Sequence, residues 1–262
     1  MRVRWAVAAG LSALLVVGGA IGATSAQAAP RPKTPNAHKP ASVTRSDAFP
    51  LRLNSQGVNV RNLQERLVWL GFEIDWKEQL MGRLGPSTLA AVQDAQIKYF
   101  WVVENKVDQG IAARIRRVAD RIGQLPSECM GSGPHICADK TQKVIRFVRD
   151  GKVLRTVDVR FGVADGVHDT PEGSYSVYWK SRYATSRINC PNQVCASPAD
   201  LAPMPYASFF NGDMAVHFSP TFHAYGYYPG GGSHGCINVR NEDDASYLFD
   251  NSPDGTPVIV YS

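Results

Sequence analysis

The spacing of apolar residues changes once along this chain, and that change limits what it can fold into. Up to about residue 122 they recur at helical intervals. Leu63, Leu67 and Leu70 share one face of a run ending at Gly71; a second run starts at Pro86 after Gly85 and carries Leu89, Val92 and Gln96; a third spans residues 109–122. Beyond Cys137 the interval falls to that of strands. Residues 141–149 and 152–161 are rich in Val, Ile, Phe and Arg, and Asp150-Gly151 between them is a hairpin-turn signal. Further strand-like runs are residues 173–179, 214–218 and 256–261. One helix interrupts them after Asn241, capped by that side chain, acidic in its first turn, and apolar at Ala245, Leu248 and Phe249. The expectation is α + β in two domains: a small three-helix bundle over residues 48–122, a connector over 123–137, and a mainly antiparallel β domain with one helix over 138–262.

The segment before the helices reads as a means of export. Residues 1–28 have a basic start (Arg2, Arg4), an apolar stretch from Ala6 to about Ala23, and the small-residue ending Ala26-Gln27-Ala28, the pattern of a cleaved secretory signal. An uncleaved membrane anchor is the competing reading, because the stretch approaches the roughly 20 residues that span a bilayer. Residues 29–47 hold Pro30, Pro32, Pro35 and Pro40 without apolar periodicity and read as a flexible tether. The formal charge of +5 comes largely from these segments, since from residue 48 onward 22 basic residues face 22 acidic ones. A balanced body argues against nucleic acid as a partner.

Five cysteines in an exported chain leave at least one unpaired. Cys129 and Cys137, and likewise Cys190 and Cys195, flank short loops that disulfides would close, each stabilising by about 2 to 3 kcal/mol. A zinc site built on the paired cysteines is the alternative, disfavoured by an oxidising compartment. Cys236 is the thiol left over. It sits in Ser233-His234-Gly235-Cys236-Ile237-Asn238, just after Gly230-Gly231-Gly232, and fifteen residues separate Ser233 from the upstream His217.

A thiol must ionise to attack a carbonyl, and an imidazole that accepts its proton meets that need. His234 is locked too close in sequence to swing between thiol and leaving group. His217, arriving from another strand, is the better general base and acid. Gly235 lets backbone approach a substrate closely, and N–H groups there could hold an oxyanion, worth about 3 to 4 kcal/mol in a transition state. The segment 218–229, with Phe222, Tyr225, Tyr227 and Tyr228, reads as a wall or lid; Tyr206, after Met204-Pro205, is a candidate for lining a groove.

Two resemblances sharpen this. Gly57-Val58, Val60, Leu63-Gln64, Leu67, Leu70-Gly71, Gly82, Gly85-Pro86, Thr88, Ala91-Val92, Val107-Asp108 and Gly110 resemble the three-helix peptidoglycan-binding domain. Ala95, where that family usually has an aromatic, and residues 76–81 depart from its pattern. His217 with Ser233 to Asn238, preceded by Gly162, Thr170-Pro171-Glu172-Gly173-Ser174-Tyr175 and Met204-Pro205-Tyr206, resembles the LD-transpeptidase (YkuD-type) catalytic domain. That resemblance implies a β-sandwich with Cys236 as nucleophile, His217 as base oriented by the Phe218 carbonyl, His234 shaping the site, and the N–H groups of His234, Gly235 and Cys236 as oxyanion hole. It implies a transpeptidase of the cell wall or periplasmic space; a monomer without cofactor is expected, and without metal, because the spacings of His217, His223, His234 and Cys236 lack the paired-ligand pattern of structural zinc. Peptidoglycan stem tetrapeptides would be donor and acceptor, carbapenem β-lactams covalent inhibitors, and glycan strands partners of the helical domain. Ser233, Asn238, Tyr206 and Tyr225 are the expected substrate contacts. Hydrolysis of the same acyl-enzyme by an LD-carboxypeptidase, or a non-catalytic wall-binding role, are the alternatives.

Overall fold

The computed structural model describes residues 47–190, 192 and 194–262, all within one unit; the expected signal segment and nearly all of the tether lie outside them. Among the described residues no helix is long and apolar enough to cross a membrane.

The helical part contains α1 (Val58–Trp69), α2 (Trp76–Met81), α3 (Pro86–Lys98) and α4 (Gln109–Val118). Leu51, Val60, Leu63, Leu67, Leu70, Leu84, Val92, Val107, Ile111 and Ile115 form its core. Three helices were expected and four are present. The added α2 has no apolar periodicity to betray it; the Asp75 carboxylate starts it by accepting from Lys77 N (2.8 Å) and Glu78 N (3.4 Å). Glu78 then accepts from Gly85 N, Ser87 N and Thr88 N at 2.9 to 3.1 Å, which satisfies the open N-terminus of α3. The last helix stops at Val118, four residues before the expected end.

The second part is a nine-stranded sheet: β1 (Pro134–Asp139), β2 (Val144–Arg149), β3 (Lys152–Arg160), β4 (Gly173–Ser176), β5 (Trp179–Ser186), β6 (Ala202–Asn211), β7 (Met214–Phe218), β8 (Ile237–Val239) and β9 (Pro257–Tyr261). Their spatial order is β4-β9-β1-β2-β3-β8-β7-β6-β5. Only β1/β9 and β7/β8 run parallel. The sheet curls over a shared core in which Ile136, Phe147 and Val258 from one half meet Phe210, Val216 and Ile237 from the other.

Asp150 and Gly151 both have positive φ, as the turn between β2 and β3 requires. Two helices serve this part instead of one. Besides α6 (Glu242–Asn251), α5 (Pro220–Tyr225) follows Ser219, whose hydroxyl accepts from Phe222 N, with Pro220 at its first position. The connector is also shorter than expected, because Cys137 lies inside β1.

The two parts are joined by buried cations. Lys98, only 2% exposed, ends α3 and donates to Asp158 of β3 at 2.7 Å. Asp158 also accepts from Tyr227 Oη at 2.7 Å and lies 3.5 Å from Arg240. Arg146, fully buried on β2, donates to the Trp69 carbonyl at 2.9 Å and stacks 3.9 Å from the Trp69 ring. Tyr99 Oη donates to the Gln142 carbonyl at 2.8 Å.

Candidate active site

The parallel pairing of β7 with β8 sets the site. His217 is the register partner of Asn238, and Val216 of Ile237. One step back along the chain, Cys236 comes beside Ala215, whose N–H donates to Sγ at 3.4 Å. Side chains two apart on an extended strand share a face, so thiol and imidazole project from the same side of the ladder. Among the described residues no hydrogen bond joins them. Sγ lies 3.8 Å from the Asp213 carbonyl and packs on Met204, Ala207, Phe209 and Ala215.

His217 is 6% exposed and both ring nitrogens are engaged. Nδ1 lies 2.6 Å from the Phe218 carbonyl, which can only accept, so Nδ1 carries the proton. Nε2 therefore holds a lone pair, and Asn238 Nδ2 donates to it at 2.9 Å. Asn238 is fixed in turn by buried Arg160, which donates to its Oδ1 at 3.1 Å. Burial pushes the imidazole pKa down to about 4; the Phe218 carbonyl opposes the shift and the Arg160 charge adds to it. Burial also raises the Cys236 thiol above its ordinary value, against the opposing Ala215 N–H. The resting pair is thus a neutral thiol and a neutral imidazole.

The turn carrying Cys236 is held from several sides. Gly235 has φ +110, and a Cβ there would lie 2.7 Å from Met214 Cε, so both conformation and space demand glycine. Gly235 N donates to Ser233 Oγ at 3.1 Å, and that hydroxyl donates to the Cys236 carbonyl. Thr170, wholly buried, donates from Oγ1 to the Gly235 carbonyl and accepts from Gly162 N, both at 2.9 Å. At Gly162 an added Cβ would meet the His168 carbonyl at 2.0 Å.

These contacts redistribute the expected roles. Ser233 and Asn238, read as substrate contacts, are buried and use their polar atoms on the turn and on His217. Tyr206 is half-buried, its ring 6.1 Å from that of Phe249 with Arg182 5.6 Å away. Tyr225 stands 76% exposed at the end of α5. Of the aromatic wall, Phe222 is fully buried, and Tyr227 is spent on Asp158 and the Val159 carbonyl. The Gly235 N–H, expected in an oxyanion hole, is taken by Ser233. His234 is exposed, its ring edge-on to His168 with centroids 4.4 Å apart. Sequence reasoning named Thr170 only as part of a motif, without a role, and missed Arg160; their contacts with Gly235 and Asn238 span 65 and 78 positions, which no local pattern reports.

Cys129 pairs with Cys137 and Cys190 with Cys195, leaving Cys236 as the unpaired cysteine. Among the described residues no group of three or more His, Cys, Asp or Glu is arranged to hold a metal ion.

Comparison with known proteins places this geometry. The family model of the L,D-transpeptidase catalytic domain (YkuD) matches residues 133–260. No curated protein matches the chain. Among solved structures, an L,D-transpeptidase fragment from Xylanimonas cellulosilytica is 25% identical, with 82% of this chain and 98% of that one covered and a TM-score of 0.47. An L,D-transpeptidase from Stackebrandtia nassauensis is 22% identical over the same shares, with a TM-score of 0.49. An L,D-transpeptidase solved in complex with imipenem is 28% identical, with 50% of this chain and 60% of that one covered and a TM-score of 0.42. The family match falls on the sheet that brings His217 and Cys236 to one face: residues 133–260 of this chain are an L,D-transpeptidase catalytic domain of the YkuD family.

Proposed function

We propose that this protein is an exported transpeptidase that cross-links peptidoglycan stem peptides through a thioester on Cys236. The observation that carries the reading is the tautomer of His217. With Nδ1 donating to Phe218, the lone pair on Nε2 is the only proton-accepting site on the ring. Asn238 holds that lone pair at rest. When a donor tetrapeptide binds, Cys236 Sγ turns from Ala215 toward Nε2, transfers its proton, and attacks the carbonyl of the third stem residue. Because both groups are neutral at rest, charge separation occurs only with substrate in place, where N–H groups stabilise the developing oxyanion.

The N–H groups of His234 and Cys236 supply that stabilisation, and Gly235 contributes shape in place of its N–H. His217 then protonates the departing D-alanine. The acyl-enzyme passes to the side-chain amine of a second stem, giving a cross-link between third residues. Ser233 and Asn238 serve by fixing the turn and the imidazole, while exposed Tyr225 and the half-buried Tyr206 are left as candidate substrate contacts. The helical part offers a second wall contact, through glycan.

Purified disaccharide tetrapeptide tests this. The expected products are free D-alanine and a cross-linked dimer, both lost in Cys236→Ala. Tripeptide without dimer would assign a carboxypeptidase, and no turnover by the parent protein would reject the reading.

A further inference from the structure

The two halves of this reaction differ in their proton balance, and His217 alone covers only the first. During acylation one proton moves from Cys236 to His217 and on to the leaving amine, so one carrier suffices. In transfer, the acceptor reaches the site from water as an ammonium, since an alkyl amine has a pKa of about 10. To become an amide nitrogen it must lose two protons. One returns through His217 to the Cys236 sulfur as the C–S bond breaks and the C–N bond forms. The other needs a second acceptor on the solvent side, and His217 is buried with both nitrogens engaged.

We propose that His168, held by Asp165, is that second base and receives the first proton of the acceptor ammonium; the proposal rests on the acyl-enzyme reading above. His168 lies on the segment between β3 and β4, which is bonded along the nucleophile turn. Val163 N donates to the Ser233 carbonyl, and Ser233 N to the Phe161 carbonyl, each at 3.1 Å. Thr170 reaches the Gly235 carbonyl at 2.9 Å. The His168 side chain is 39% exposed, and its ring meets that of His234 edge-on, two residues before Cys236.

Asp165 grips it twice: Oδ2 lies 2.7 Å from Nδ1, and Oδ1 accepts from the His168 N–H at 2.7 Å. The Val167 N–H adds a third bond to Asp165 at 2.9 Å. A carboxylate on Nδ1 fixes the proton there and leaves the lone pair on Nε2, the tautomer a base requires. His168 is thus the exposed counterpart of His217, with a carboxylate where His217 has a carbonyl.

The test separates the half-reactions in the full-length protein. In His168→Gln, the imipenem adduct on Cys236 and first-turnover release of D-alanine from tetrapeptide proceed at the parent rate. Dimer formation falls about 100-fold, the lower range for loss of a general base, and tripeptide accumulates in its place. Asp165→Asn lowers dimer formation less, and added imidazole restores it in His168→Gly. Dimer formation within twofold of the parent would overturn the proposal. So would equal slowing of adduct and dimer, which would make His168 a prop of the turn. Absence of any Cys236 adduct in the parent protein would instead defeat the acyl-enzyme reading.

Discussion

The seam between the helical part and the sheet, and the turn that carries Cys236, both bury titratable groups, but they handle charge in opposite ways. At the seam Lys98 and Arg146 are buried beside Asp158 and Asp139, with the rings of Phe72, Tyr99 and Trp69 around them. Each cation has an acidic partner, so burial stiffens the join. At the turn His217 is buried and Cys236 half-buried, their direct hydrogen-bond partners are neutral, a carbonyl, an amide and the Ala215 N–H, and burial pushes both toward their uncharged forms. A charge held in place serves architecture. In the proposed mechanism, a charge withheld until substrate arrives serves catalysis.

Three perturbations should bring that contrast out. The largest effect on stability belongs to the seam: Lys98→Met leaves Asp158 with only Tyr227 and the longer Arg240 contact. It should cost about 3 kcal/mol in urea denaturation, the low end for breaking a buried pair because Asp158 is a quarter exposed. Cys236 should still react with imipenem at close to the parent rate. Thr170→Val should invert that pattern. Losing the bonds to Gly162 and Gly235 should cost about 2 kcal/mol, while the imipenem adduct on Cys236 forms at least tenfold more slowly because the turn is no longer pinned.

The smallest effect is a pH dependence. His217 has a folded pKa of about 4 against an ordinary value of about 6.5, so the unfolded chain binds the proton more readily. Stability from this group is therefore fully present above about pH 6.5 and declines as pH falls toward 4. Between pH 7.5 and 5.5 the loss should be about 1 kcal/mol, and His217→Asn should remove that part of the slope.

The same contrast explains what could be read from the sequence. The motif with His217 and Cys236 and the hairpin at Asp150-Gly151 are local, and the spacing of Leu63, Leu67 and Leu70 reports a real helical face. Helices α2 and α5 are six residues each and owe their starts to Asp75 and Ser219, so no periodicity announces them. The Tyr227 ring looks like a lid residue until Asp158, 69 positions earlier, turns out to hold its hydroxyl. Asn238 looks like a substrate contact until β7 comes alongside and offers it Nε2 of His217. Residues whose partners follow them closely were legible; those whose partners arrive through sheet order were not.

The most direct test is acylation of the full chain by imipenem, followed by intact mass and peptide mapping. One adduct, confined to Cys236 and forming 100-fold or more slowly in His217→Asn, is the predicted result. An adduct elsewhere, or a rate indifferent to His217, would contradict the assignment of the neutral His217–Cys236 pair as the reacting groups.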